Sequence, residues 1–459
     1  MGESLERLAV ERRGIEFVPL TERYGRPSRL FFVWFGGCLT ILCLSVGTLG
    51  ITAGLPLAWT IAALALGNAV GTTIMAAHSA QGPKLGIPQM IQSRAQFGVV
   101  GAGLPLLAVL ASTVLYIASI GLLARETLQL LLPVDDREAL LIFASVTIVI
   151  AFVGYEMIHR MAAVLTFLSG TFYLIVAVLL FMKGSTPALT PPTSHFAIGT
   201  FLLIFSQATS WSLSAGPYVA DYSRYLPPTV SEWSTFWYTA AGNFLGSTLL
   251  QSLGAFLAAR FPSMTEHPAL GIANLFGPGR YVVEILIVVN LVQVNVMTLY
   301  SGYMSTTTTI TGLRGMTRVS LSFKLILMLA LMALATTIGL LTRDSFSVYF
   351  SDFLAIMLYA LIPWSAINLT DYYVVRKGHY AIDQMFTTAG IYRSFRWPAL
   401  GVYLFSIVLQ GPFMSLSFYT GPVARWVGSD VAWLPGLIAP ALGYMWVESR
   451  QTSTQEVPV

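Results

Sequence analysis

Gly67-Asn68-Ala69-Val70-Gly71-Thr72-Thr73 returns 175 residues further on as Gly242-Asn243-Phe244-Leu245-Gly246-Ser247-Thr248, so both stretches read Gly-Asn-x-x-Gly-(Ser/Thr)-Thr. Taken alone, glycines four apart in an apolar run signify only close helix packing. The surroundings add weight. Each copy follows, by about thirty residues, an apolar stretch holding Trp and Gly: Trp34 with Gly36 and Gly37, and Trp211 with Gly216 and Pro217. The chain around them is poor in charge. Of 459 residues 55% are hydrophobic and 10% charged, against about 25% charged in an ordinary soluble domain. Mean hydropathy is +0.71. This composition excludes a soluble enzyme, a disordered protein and a nucleic-acid binder. It describes a polytopic membrane protein.

Apolar runs long enough to cross a ~30 Å hydrocarbon layer lie near 30–54, 56–80, 101–131, 138–156, 160–182, 196–217, 233–259, 280–304, 320–341, 349–375, 397–416 and 430–447. Backbone in lipid must satisfy its own hydrogen bonds, and no barrel-like alternation is present, so these twelve are helices. With the N-terminus in the cytoplasm, 18 of the 25 Lys and Arg fall on the inner side and 7 on the outer, the bias that sets orientation. Both termini are then cytoplasmic, and the basic segment 1–29 is an inner-face anchor despite a pI near 9.0. The opening MGESLERLAVERRG does not read as a secretory leader.

The two copies of the repeat lie five spans apart, on the second and the seventh, so the second copy crosses the membrane in the opposite sense. That is the plan of inverted five-helix repeats in secondary transporters. The expected organisation is a first repeat over 30–182, an inverted second over 196–375, two further helices over 397–447 and a tail over 448–459.

In such plans solute and ion bind at mid-membrane, where the first helix of each repeat is unwound. The first span offers Gly36-Gly37 and Ser45-Val46-Gly47. The sixth offers SQATSWSLSAGP from Ser206 to Pro217, where Pro217 removes a donor and Gly216 permits unusual torsions. Backbone groups freed near Ser214, Ala215 and Gly216 could bind a small polar solute or a cation; the alternative is a polar kink packed against its neighbours. On the eighth span Asn290, Thr298 and Ser301 fall within an arc of about 80°, and Gln293 and Asn295 widen it to about 200°. These polar groups must face protein or water, either lining a site or bonding other helices. Ser112, Tyr116 and Ser119 form a narrower stripe on the third. Asp221 and Arg224 form either an inner gate or a local surface pair. Cys38 and Cys43 are spaced for neither a metal knuckle nor a disulfide framework and read as packed small residues. Enzymatic motifs and metal-ligand spacings are missing from the chain, and the five histidines are scattered. No catalytic residue, metal or resident cofactor is expected.

The chain resembles the nucleobase–cation symporter-1 family, in its purine–cytosine permease branch. The resemblance rests on GPKLGIPQMIQSRAQFG (Gly82 to Gly98), PYVADYSRYLP (Pro217 to Pro227), PWSAINLTDYYVVRKGHY (Pro363 to Tyr380) and GPFMSLSFYTGP (Gly411 to Pro422), and runs from about residue 20 to 447. It implies a LeuT-like five-plus-five core with two extra helices, importing a nucleobase or similar heterocycle with Na⁺ or H⁺. It further implies an aromatic on the sixth span to stack the ring, an aromatic and an amide on the third, and an Asn on the eighth. The eighth-span pattern appears as Asn295-Val296-Met297-Thr298-Leu299-Tyr300-Ser301, with Thr298 in place of the second amide. Thr113 and Ile117 occupy the third-span positions and Ala215 that of the usual sixth-span Trp, with Trp211 one turn earlier. Cys38 stands where an Asn is usual. Losing an amide at a base edge removes about 1–3 kcal/mol of polar recognition.

The expected solute site is therefore Trp211, Ser214, Ala215, Gly216, Asn295, Thr298, Thr113, Tyr116 and Cys38. The expected ion-coupling set is Gly37, Ser45, Asn290 and Gln293. Val289-Asn290-Leu291 lacks a hydroxyl pair, which favours H⁺ over Na⁺ and directs attention to Glu284, the one acid within the eighth span. The expected partners are a purine, pyrimidine or related heterocycle and the lipid of the plasma membrane, with no nucleic acid; the oligomeric state stays open. An uncoupled facilitator, a transporter-derived sensor and, more remotely, an intramembrane enzyme are the competing readings.

Overall fold

The computed structural model describes residues 17–153, 155–182, 195–261, 264, 267–314, 320–344 and 346–455. Residues 1–16 of the expected basic anchor, residues 456–459 of the tail, and Lys183 and Arg318 among the counted charges lie outside the described residues.

The helices follow the apolar runs. The first span is Ser28–Gly37 and Ile41–Thr52, bent by 62° at the break between them. The second is Leu57–Ser79, the third Gly103–Leu131, the fourth Asp136–Val153 and the fifth Tyr155–Met182. The sixth is Ile198–Leu213 with Gly216–Ser223, the seventh Glu232–Arg260, the eighth Arg280–Arg314 and the ninth Leu321–Leu341. The tenth is Phe346–Thr370, extended by a π-helical turn over Asp371–Val375, and the last two are Trp397–Gln410 and Trp433–Gln455. Among the described residues five helices singly, and the bent pair jointly, have the length and hydropathy of a membrane crossing. The sixth and eleventh are shorter, and the seventh carries Ser, Thr, Asn and Gln along its length. The twelfth runs helical to Gln455, so most of the stretch expected as a tail is helical.

The repeated motif is the joint of the fold. A Cβ on Gly67 would lie 2.2 Å from the Phe205 carbonyl oxygen, and one on Gly71 2.3 Å from that of Thr209, both on the sixth span. In the second copy, a Cβ on Gly242 would lie 2.4 Å from the Phe31 carbonyl oxygen and one on Gly246 2.9 Å from that of Phe35, both on the first span. So the second span seats on the sixth through the same two motif positions by which the seventh seats on the first. Without side chains at these points the backbones meet directly.

The two asparagines then clasp crosswise. Asn68 Nδ2 donates to Gln251 Oε1 at 2.7 Å and to Thr248 Oγ1 at 3.2 Å, while Asn243 Nδ2 donates to Thr72 Oγ1 at 2.7 Å. Each amide reaches the hydroxyl end of the other copy. A buried amide in lipid must find such partners.

The two interruptions differ. Cys38–Thr40 leave the helix, and Thr40, with extended torsions, caps the second half by accepting from the Cys43 N–H at 3.1 Å. The expected weak point Ser45-Val46-Gly47 is unbroken helix: a Cβ on Gly47 would lie 1.8 Å from the Gln251 carbonyl oxygen, so this glycine serves packing against the seventh span. At the sixth span only Ser214 and Ala215 fall out of regular helix, and both keep right-handed torsions. Gly216 is itself helical and adopts no positive φ. Pro217 sits in the first turn of Gly216–Ser223, where a missing N–H costs little.

Between the second and third spans the chain folds inward as Gly82–Leu85 and Gln89–Phe97, and all nine residues of the latter are buried. The Asp221 carboxylate accepts from the Gln89 N–H at 2.8 Å, Trp364 Nε1 donates to Ser93 Oγ at 2.8 Å, and Gln96 Nε2 donates to Asp371 Oδ2 at 2.6 Å. This segment thus ties the second, sixth and tenth spans together.

Candidate solute-binding cavity

Where the two interruptions meet there is a cavity of about 660 Å³, within the 300–1,000 Å³ typical of small-molecule sites. Its wall comes from the first, third, fifth, sixth and eighth spans, with Asn243 and Met357 added from the seventh and tenth. From the first span it takes Phe32 to Trp34 and Gly36 to Thr40, and nothing from Ile41–Thr52; beyond Trp211 the sixth span contributes Ser214, Ala215, Tyr218 and Tyr222. The cavity therefore extends toward the face of the bundle on which the first span begins.

Trp211 is the fixed point. Its ring packs against Tyr116 with centroids 6.1 Å apart and planes at 29°, and Tyr116 meets Phe353 edge-on at 5.9 Å. The indole Nε1 donates to Ser247 Oγ at 3.2 Å, a residue of the second motif copy, so the joint of the fold also orients the aromatic wall. Cys38 Sγ lies 3.2 Å from the same hydroxyl and 3.6 Å from Asn243 Oδ1. Across from it, Thr113 Oγ1 and Tyr218 OH are 3.2 Å apart.

The eighth span presents a single polar edge. Asn290, Gln293, Val294, Met297, Thr298 and Ser301 line the cavity, the i, i+3, i+4, i+7 progression of one helix face. Asn290 Nδ2 donates to Ser169 Oγ of the fifth span at 2.9 Å, while its Oδ1 is buried without a hydrogen-bond partner.

Of the expected solute residues, Trp211, Ser214, Ala215, Thr298, Thr113, Tyr116 and Cys38 all line this cavity. Asn295 does not. Five residues from Asn290 it is turned by about 140°, fully buried, and donates to Thr147 Oγ1 of the fourth span at 3.3 Å. Gly216 points instead toward Leu213, Trp364 and His78. Ile117 is buried in a cluster with Val114, Val296 and Leu299, and Ser119 donates to the Leu115 carbonyl of its own helix. In the ion-coupling set Gly37, Asn290 and Gln293 reach the cavity, whereas Ser45 is fully buried and donates to the Ile41 carbonyl at 2.9 Å. Glu284 lies off the cavity; both its carboxylate oxygens are buried without a hydrogen bond, 3.9 Å from Arg280. Asp221 and Arg224 lie outside the lining: Asp221 holds the inner segment through Gln89, and the Arg224 guanidinium lies over the Tyr225 ring at 5.0 Å.

Sequence reasoning missed Phe32, Trp34, Thr166, Ser169, Tyr218 and Tyr222. The last two were open to discovery, since Trp211, Ala215, Tyr218 and Tyr222 recur on one helical face. The fifth span carries no comparable signal. Among the described residues no group of three or more His, Cys, Asp or Glu could hold a metal ion.

A twelve-span helical bundle with two interrupted spans facing a polar–aromatic cavity has the build of a LeuT-type secondary transporter. Two structures of Mhp1 share it. One, of this nucleobase-cation-symport-1 family transporter in a closed conformation with bromovinylhydantoin bound, superposes with a TM-score of 0.74 at 18% identity, covering 97% of this chain and 96% of that one. The inward-facing conformation of Mhp1 gives 0.79 at 16% identity over 97% and 95%. The sequence adds the family itself. The family model described as permease for cytosine/purines, uracil, thiamine, allantoin matches residues 17–434, and the chain belongs to that family. It is 39% identical over 438 residues, 95% of each chain, to YxlA of Bacillus subtilis (strain 168), a protein assigned to the purine-cytosine permeases. It is also 28% identical over 254 residues to the purine-cytosine permease FCY22 of Saccharomyces cerevisiae, covering 51% of this chain and 46% of that one. These relatives are permeases, not enzymes.

Proposed function

We propose that this permease imports a nucleobase or a closely related flat heterocycle by alternating access, with H⁺ or Na⁺ moving alongside. The carrying observation is the Trp211–Tyr116 wall, fixed by Ser247 and set beside the interruptions of the first and sixth spans. A flat ring gains most by stacking on such an aromatic face. Gln293, Asn290, Thr298 and Thr113 offer donors and acceptors in the same cavity, which suits the mixed edge of a heterocycle. A cation fits the same place chemically, because the Cys38–Thr40 break and the unpartnered Asn290 Oδ1 supply hard oxygen atoms. Both termini are taken as cytoplasmic from the charge bias, which makes the cavity inward-open; the superposition on inward-facing Mhp1 supports the same state.

The test is uptake by proteoliposomes of radiolabelled hypoxanthine, uracil, cytosine and hydantoin under imposed Na⁺ or H⁺ gradients. Coupling predicts accumulation that collapses when the driving gradient is removed, since one charge moving down 100 mV yields ~2.3 kcal/mol. Uptake that persists unchanged with no gradient would leave an uncoupled facilitator. Binding without counterflow would instead indicate a sensor.

A further inference from the structure

The half of the cavity nearer the chain's beginning holds a second pair of aromatic rings, separate from the Trp211–Tyr116 wall. Trp34, on Ser28–Gly37, and Tyr222, on Gly216–Ser223, both line it. They meet edge to face, with centroids 5.3 Å apart and planes at 74°. Trp34 stands one turn, about 6 Å, before Cys38, and Tyr222 two turns, about 10 Å, beyond Ala215. The pair therefore lies apart from Trp211 and Tyr116, in the direction along which the cavity extends. Phe32 lines the same stretch.

The indole N–H of Trp34 is buried and has no hydrogen-bond partner. At other tryptophans the protein supplies one: Trp211 donates to Ser247 and Trp364 to Ser93. Trp433 shares the unpaired condition but does not line the cavity. Buried donors left unpaired are few and costly. Carried by a residue of the cavity wall and packed edge to face against Tyr222, it fits a ligand that brings an acceptor of its own once the indole turns toward the hollow.

We propose that Trp34 and Tyr222 form a second binding subsite on the exit side of the main one. It takes a flat heterocycle against the two rings, and the ring carbonyl of that heterocycle accepts from the Trp34 N–H. A solute leaving Trp211 is thus handed to a weaker site before it reaches the cytoplasm, and an acceptor on the solute keeps its partner for most of the path. The assignment rests on the import reading.

Right-side-out and inverted vesicles test it, with labelled hypoxanthine, uracil and hydantoin as probes. Trp34→Phe keeps a ring beside Tyr222 and removes the donor together with part of the indole's face. The expected result is a KM raised roughly three- to tenfold from the cytoplasmic side, the worth of one neutral hydrogen bond, with KM from the outside changed by less than about twofold. Tyr222→Leu should show the same one-sided defect. If Trp34→Phe matches the wild type on both sides, or raises KM equally on both, the exit subsite is overturned. An unfolding temperature and size-exclusion profile matching the wild type certify that each variant folded. Wild-type vesicles that move none of the three probes would overturn the transport reading itself, and the subsite with it.

Discussion

Trp211 carries the largest single share of the proposed recognition, because it is buried, held by Ser247 and stacked near Tyr116. Trp211→Ala is expected to cost about 2 kcal/mol or more, some thirtyfold in affinity for the best-bound heterocycle, read by isothermal titration. Asn295 gives the opposite expectation. Its amide bonds Thr147 away from the cavity, so Asn295→Ala should leave KM within about twofold and shift stability by ~0.6 kcal/mol, the usual worth of an interhelical bond in a bilayer. A thirtyfold loss of solute affinity in that variant would contradict the placement. Cys38 lines the cavity whereas Cys43 does not; maleimide labelling should therefore modify Cys38 first and inhibit uptake, and bound solute should slow the reaction. The contrast between Asn290 and Asn295 also marks how far side chains could be read from the sequence. The arc of polar groups on the eighth span was legible from 100° steps, and Asn290, Thr298 and Ser301 of that arc line the cavity. Which edge of that arc faces the cavity depends on the fourth span's Thr147, which no periodicity reveals.

At the level of helices, the glycine contacts give a graded expectation. A Cβ on Gly71 would fall 2.3 Å from a backbone oxygen, one on Gly246 2.9 Å from its counterpart. Gly71→Ala should therefore lower the unfolding temperature of the purified protein more than Gly246→Ala, within the ~1–3 kcal/mol usual for overpacking. Equal tolerance of both would mean that the helices do not meet at these carbonyls. The repeat was visible in sequence because backbone contact demands glycine and buried amides demand partners. The form of each interruption was not. Gly36 and Gly37 invite a break, yet both stay helical and the chain departs at Cys38, because the Thr40 side chain can cap the helix that starts at Ile41. Gly216 and Pro217 likewise mark a break that is mild, since Pro217 falls where a helix tolerates it.

For the molecule as a whole, the first, second, sixth and seventh spans meet through bare backbone and crosswise amide clasps. Contacts of that closeness have one good arrangement and resist sliding. The third, fifth and eighth spans face them across the cavity with hydroxyls, amides and aromatic side chains. Any cycle that opens the hollow to the opposite surface must then let one rigid quartet turn against its surroundings. Paired spin labels inside the quartet should keep a constant separation through the cycle, while pairs spanning the hollow should not.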